Sequence, residues 1–251
     1  MAFVEYSRDG SVGLVTLNRP ERLNARSDAL ENDLREAWKR FEADDDAKVA
    51  IFSGRGKAFC AGMDLKERPN RKSSTGQSMR SCAGIYEVTK PVVAAIHGYC
   101  LGGGLTMTMW ADIRLAAQST IFGFPEIRYG IHPNTPYFVA QNIPVCVIAE
   151  LALAAADFTA QRACAAGLIN RVVSDAILMD EARATAKHMA SFPLRVLKLG
   201  KQLIRKSTEL PMEVWDQMAQ HRVDTYVSND EMEGVAAFQE GRKPQWTPGT
   251  K

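Results

Sequence analysis

Short apolar or alternating runs recur along this chain at 12–17, 49–53, 92–96, 113–116 and 172–173, each beside turn residues, with helical patterns between them. Runs of roughly 4–6 residues suit buried strands. Strands that alternate with helices predict a mainly parallel α/β architecture. In "SDALENDLREAWKRF", Ser27 or Asp28 is placed to cap a helix that sets Leu30, Leu34, Ala37 and Phe41 on one face. "TAQRACAAG" starts at a second N-cap, Thr159, and stops at Gly167. After Ser191 the strand-like runs cease, and 194–207, 211–228 and 230–241 read as helices. The expected organisation is a core over 1–190 followed by a helical C-terminal lobe over 191–251.

Composition removes several functional classes. With a net charge of +2 and 24% charged residues, no single-sign field points to nucleic acid or a membrane surface. Lys198, Lys201, Arg205 and Lys206 read as a solvated helix face rather than an RNA-binding strip. The five cysteines are scattered without a C-x-x-C pair, and His97 and His132 lack ligand spacing, so no metal site is expected and a reducing compartment is. No apolar run approaches the roughly 18 residues of a membrane span. "MAFVEYSRDG" has neither a secretory nor an Arg/Ser-rich pattern, and the expectation is a cytoplasmic protein.

Chemistry concentrates in two glycine bends. "HGYCLGGGLTMTM" places Gly102, Gly103 and Gly104 between an apolar run and a helix-like stretch. It lacks the G-K-[ST] of a P-loop and the glycine spacing of a dinucleotide fingerprint. A bare backbone at a helix start favours a negative or developing-negative oxygen. "SGRGKAFCAGMDL" repeats the arrangement, with Ala61-Gly62-Met63-Asp64 at its end.

The segments "VTLNRPERLNA" (15–25), "KAFCAGMDLKE" (57–67), "KPVVAAIHGYCLGGG" (90–104), "ADIRLAAQSTIFGFPEIRYGIHP" (111–133) and "AAGLINRVV" (165–173) together resemble the crotonase, or enoyl-CoA hydratase/isomerase, superfamily. The resemblance follows the family's order over most of the chain. It implies a crotonase-like α/β spiral of ββα units with a helical C-terminal lobe, assembled as a homotrimer or a dimer of trimers. The implied substrate is an acyl-CoA thioester, with coenzyme A as part of the substrate and no separate cofactor.

By the same resemblance, the backbone amides of Met63 and Gly103 form an oxyanion hole for the thioester oxygen. Glu126 matches one of the two glutamates that family hydratases carry, while Thr106 stands where the other would be. A hydroxyl donates or accepts a hydrogen bond but is no base near neutral pH. Thr106 is therefore expected to position a water at most, with helix packing as its plainer role. Surrounded by Phe122, Phe124 and Ile127, Glu126 should have its pKa raised by desolvation toward the range where a general acid/base works best. Coenzyme contacts fall on Arg22, Leu23, Ala25, Ala61, Asp64 and Leu65, with Lys66 near the phosphates. Gly241 takes the place of a basic residue, with Arg242 and Lys243 adjacent. The implied activity is enolate chemistry, with hydration or double-bond isomerisation leading. Hydratase-lyase, hydrolase or decarboxylase action is the alternative, beside a non-catalytic acyl-CoA-binding or RNA-binding relative.

Overall fold

The computed structural model describes residues 2–67, 82–131, 143–208 and 229–245. Among these residues ten strands form two sheets. The larger has the order β1 (Val4–Asp9), β2 (Val12–Leu17), β3 (Val49–Gly54), β5 (Val92–Ile96), β7 (Ile113–Ala117), β10 (Arg171–Val173). Only β1 and β2 pair antiparallel, joined through Gly10; the remaining pairs are parallel.

Both faces of this sheet are covered, which explains why β3 reads as an unbroken apolar run. Ala50 and Phe52 face one core with Leu30, Leu34, Trp38 and Phe41 of α1 (Asp28–Ala43). Val49 and Ile51 face a second core with Leu178, Ala182, Ala186 and Ala190. Those four belong to a later helix (Leu178–Ala190) whose small residues let it lie close to the strands. Ser27 caps α1 by accepting the Leu30 amide at 3.2 Å, as its sequence predicts. Thr159 likewise accepts the Arg162 amide at 3.2 Å.

A smaller sheet has the order β4 (Ala58–Cys60), β6 (Tyr99–Leu101), β8 (Ile121–Gly123), β9 (Phe158–Thr159). The first three run parallel, and β9 closes the edge antiparallel to β8. Helix α2 (Gly103–Met109) leaves the end of β6. The remaining α-helices among the described residues are α3 (Val145–Ala152), α4 (Ala160–Ala165), α5 (Leu178–Ala190), α6 (Leu194–Thr208) and α7 (Asn229–Glu240).

The described residues after 191 are helical where 194–207 and 230–241 were expected to be; the expected helix at 211–228 lies outside the described residues. Helix α6 corrects one expectation. Lys201 is no solvated side chain: it is 6% exposed and donates to the Lys90 carbonyl and to Asp112, both at 2.8 Å. Arg205 donates to the Tyr86 carbonyl at 2.7 Å. The helix's own sequence, basic and without an acidic residue, offers no sign of this, because the partners lie roughly ninety or more residues away. Among the described residues no helix is long and apolar enough to cross a membrane.

Candidate active site

Three parallel neighbours, β4, β6 and β8, deliver the three segments singled out in the sequence. Beyond the carboxyl end of β4 lies Ala61–Leu65; beyond β6 lie Gly102 and α2; beyond β8 lies the 3₁₀ turn Pro125–Tyr129. Carboxyl ends of parallel strands are where α/β folds gather ligand-binding loops. Backbone bonds hold the segments together. Gly102 donates to the Gly123 carbonyl at 2.8 Å, and Ala61 to the Leu23 carbonyl at 3.0 Å.

The loop before α1 forms the facing wall. Leu23 and Asn24 both take left-handed backbone angles, with φ of 50° and 55°, a conformation that needs support in a residue bearing a Cβ. The buried Asn24 side chain supplies it. Its Oδ1 accepts the Arg19 amide at 2.8 Å, and its Nδ2 donates to the carbonyls of Ala58 at 2.8 Å and Arg55 at 2.9 Å.

Arg26 then runs alongside Met63. Its amide donates to the Gly62 carbonyl at 2.7 Å and its carbonyl accepts the Asp64 amide at 3.0 Å. This parallel bridge uses the groups on either side of Met63, so the Met63 amide itself faces away from Arg26. Gly103 opens α2, where the first amides have no partner within the helix. Among the described residues neither the Met63 nor the Gly103 amide meets an acceptor. The two bends touch: a Cβ on Gly62 would lie 3.2 Å from the Leu101 carbonyl oxygen and 3.9 Å from the Gly102 Cα.

Glu126 folds its carboxyl against Gly102. A Cβ on Gly102 would overlap Glu126 Oε1, and φ at Gly102 is 50°, so glycine is required twice over. The residue as a whole is half-buried, but Oε2 is enclosed and meets no hydrogen-bond donor among the described residues. Burial is the dominant influence and raises the carboxyl pKa to about 7, against a weaker opposing pull from the Arg26 charge. Phe122 and Phe124 are buried beneath it as expected. Ile127 is not part of that wall: it is 39% exposed.

A cavity of about 510 Å³ opens between these segments. Of the residues expected to act, Met63 and Glu126 line it, as do all seven expected to hold the coenzyme: Arg22, Leu23, Ala25, Ala61, Asp64, Leu65 and Lys66. Arg22 and Lys66 are exposed at its rim. Gly103 and Thr106 do not line it. Gly103 lies buried one residue behind the wall that Gly102 provides. Thr106 is 3% exposed and its hydroxyl donates to the Gly102 carbonyl at 3.2 Å, a helix back-bond.

The other acidic groups of the wall are engaged or solvated. Asp64 pairs with buried Arg19 at 2.8 Å and accepts the Lys66 amide at 3.0 Å, the local loop bond its position suggests. Asp157 faces Arg128 at 3.5 Å, and Glu21 is exposed. Asp112 pairs with Lys201, not with Arg114, whose guanidinium donates to the Leu168 and Ala111 carbonyls at 2.7 and 3.0 Å. Arg242 is held by Glu233 at 2.6 Å and does not line the cavity. His132 lies outside the described residues.

Sequence reasoning missed the apolar wall: Tyr99, Leu101, Ile121, Tyr129, Ile131 and Phe238. Phe238 reaches it from α7 and meets Tyr129 edge-on, with ring centroids 5.3 Å apart. The three-residue strands carry too little pattern to show which of their side chains face inward. Nothing in the sequence around residue 238 signals a neighbour more than one hundred residues earlier. Among the described residues no cluster of His, Cys, Asp and Glu is arranged to hold a metal ion.

A fold with three loops gathered at parallel strand ends, two backbone amides that meet no acceptor among the described residues and one enclosed carboxyl defines an enzyme-like site. The comparisons place it more closely: the family model described as enoyl-CoA hydratase/isomerase matches residues 7–249, and the chain belongs to that family of enzymes. A "Probable enoyl-CoA hydratase, mitochondrial" of Dictyostelium discoideum is 35% identical over 95% of this chain and 88% of its own length. A carnitinyl-CoA dehydratase of Proteus mirabilis is 34% identical over 94% of this chain and 95% of its own. Among solved structures, a carnitinyl-CoA hydratase from Mycobacterium avium superposes with a TM-score of 0.89 at 27% identity, covering 99% of this chain and 100% of that one. The mixed α/β architecture with parallel sheets is the crotonase fold of these neighbours.

Proposed function

We propose that this enzyme adds water to, and removes it from, the C2–C3 double bond of an enoyl-CoA thioester, using Glu126 as its one acid/base group. The observation that carries the reading is the Glu126 carboxyl, enclosed at the cavity, without a hydrogen-bond donor at Oε2 among the described residues, and titrating near neutrality.

In the dehydration direction, the Glu126 carboxylate removes the C2 proton of a 3-hydroxyacyl-CoA. The electron pair moves onto the thioester oxygen as an enolate, which the Met63 and Gly103 amides stabilise. Collapse of the enolate expels the C3 hydroxyl, and the proton now on Glu126 goes with it as water. The reverse sequence hydrates the double bond. One carboxyl suffices because it holds the same proton in both steps, so Thr106 need not be a base. A pKa of about 7 keeps both protonation states populated at neutral pH. Loss of one oxyanion donor typically costs roughly 3–4 kcal/mol of transition-state stabilisation. Backbone donors cannot be removed by side-chain substitution, which makes the carboxyl the place to test.

The names of the relatives support this reaction class. The exposed Arg22 and Lys66 at the rim, with the backbone of the Leu23–Ala25 wall, supply charge and hydrogen bonds suited to a coenzyme A moiety. The threonine at 106, in place of a second carboxylate, favours a second reading in which Glu126 shuttles a proton between C2 and C4 and shifts the double bond. Incubation of 2-enoyl-CoA and 3-enoyl-CoA in oxygen-18 water separates the two. Hydration puts the label on C3; isomerisation exchanges carbon-bound hydrogen only. A chain that binds both thioesters and alters neither overturns the reading.

A further inference from the structure

Arg26 touches both bends, one through its backbone and the other through its side chain. Its backbone straddles Met63 through the Gly62 carbonyl and the Asp64 amide. Its side chain turns the other way and lies across Gly103, so that a Cβ there would overlap Nη1 and sit 2.9 Å from Cζ. Glycine at 103 thus leaves room for the arginine. The guanidinium is anchored from α1: Nη2 donates to Glu31 Oε1 at 2.8 Å, and Glu31 also faces Arg35 at 3.5 Å. Glu31 is 3% exposed, and the ion pair is mostly withdrawn from solvent. Its field therefore reaches nearby groups with little screening. Glu126 and Cys60 both feel the Arg26 charge. Arg26 does not line the cavity.

We infer that Arg26 is a positioning residue that fixes the Met63 and Gly103 bends relative to one another and sets a positive charge behind the two amides, where enolate charge develops. This rests on the enolate reading above. The backbone half of the strut survives any substitution, so the side-chain half is what a variant reports. Removing the charge lowers the affinity for the enolate more than for the neutral thioester, a loss in kcat rather than in KM.

The test pairs turnover of 2-enoyl-CoA with the ultraviolet enolate band of bound 3-oxoacyl-CoA at pH 7, a ligand that ionises without reacting. In Arg26→Gln/Glu31→Gln the pair becomes neutral, with a polar amide in place of each charged group. The expected result is about a tenfold fall in kcat and in the bound enolate-to-ketone ratio, with KM within about twofold, a smaller effect than losing a donor outright. Arg26→Lys keeps the charge and should fall by only about threefold. If the double variant does not fold, Arg26→Gln, which leaves Glu31 facing Arg35, takes its place. Equality of the neutral variant with the wild type in both readouts overturns the inference. So does an Arg26→Lys enzyme as impaired as the neutral one, since packing and not charge would then matter. A wild type that turns over but shows no enolate band overturns the charge role alone; one that shows neither overturns the enolate reading and this inference together.

Discussion

Asp112 and Glu126 are two carboxyls at opposite ends of strands, and their surroundings could hardly differ more. Asp112 precedes the amino end of β7. Its Oδ2 accepts the Val92 amide at 2.7 Å and the Lys201 ammonium at 2.8 Å, and this tie fastens α6 to the sheet. Burial lowers the Lys201 pKa to about 8 despite the attraction of Asp112. Glu126 follows the carboxyl end of β8, with Oε2 enclosed and facing no donor among the described residues. Enclosure with partners builds structure. Enclosure without them stores a proton at neutral pH, which is of use to catalysis and a burden to folding.

The largest way to break that contrast is Glu126→Gln. Steady-state kinetics on 2-enoyl-CoA should show kcat reduced by about 10³-fold while affinity for the coenzyme is retained; unchanged turnover would remove Glu126 from the reaction. The same variant sharpens the contrast in stability. A carboxyl whose folded pKa is raised from 4.5 to about 7 binds more protons when folded than unfolded between those values. Stability therefore falls as pH rises through that window and stays low above it. Glutamine has no such loss. The urea-derived stability of Glu126→Gln relative to wild type should thus increase by about 3 kcal/mol between pH 4 and pH 9.

Gly102→Ala attacks the site through shape. The methyl group would overlap Glu126 Oε1 and strain a backbone at φ 50°, displacing the carboxyl. Loss of about 10²-fold in kcat is expected, measured beside circular dichroism to establish that the fold persists. On the structural side, Asp112→Ala leaves the Lys201 ammonium without its counter-charge. A loss of about 2 kcal/mol in thermal or urea unfolding is expected, with kcat held nearly constant. A large loss of turnover there would erase the distinction between the two carboxyls.

Much of this was legible in the sequence for identifiable reasons. Strands β2, β3, β5 and β7 are five or six residues long and bury both faces, so their apolar runs stand out. Ser27 and Thr159 announce helix starts through side chains that need no tertiary partner. The smaller sheet was silent because β4, β6 and β8 are three residues each, below the length at which a period can be read. Motif resemblance picks out Glu126 and the cavity wall at 22–25 and 61–66. Thr106 was placed correctly on its helix, but only the structure shows its hydroxyl turned back to the Gly102 carbonyl. Arg26 was passed over. A charged residue directly after a quoted motif, with Glu31 five positions on, gives no local hint that its guanidinium reaches a bend some eighty residues away.

The central claim is that an enclosed carboxyl at the head of the cavity gains and loses its proton near neutral pH. Titration of carbon-13-labelled glutamate by NMR, with Glu126→Gln identifying the resonance, tests it directly in the free enzyme. The account predicts an inflection at about 7; an inflection in the ordinary carboxylate range, at about 4.3, would contradict it.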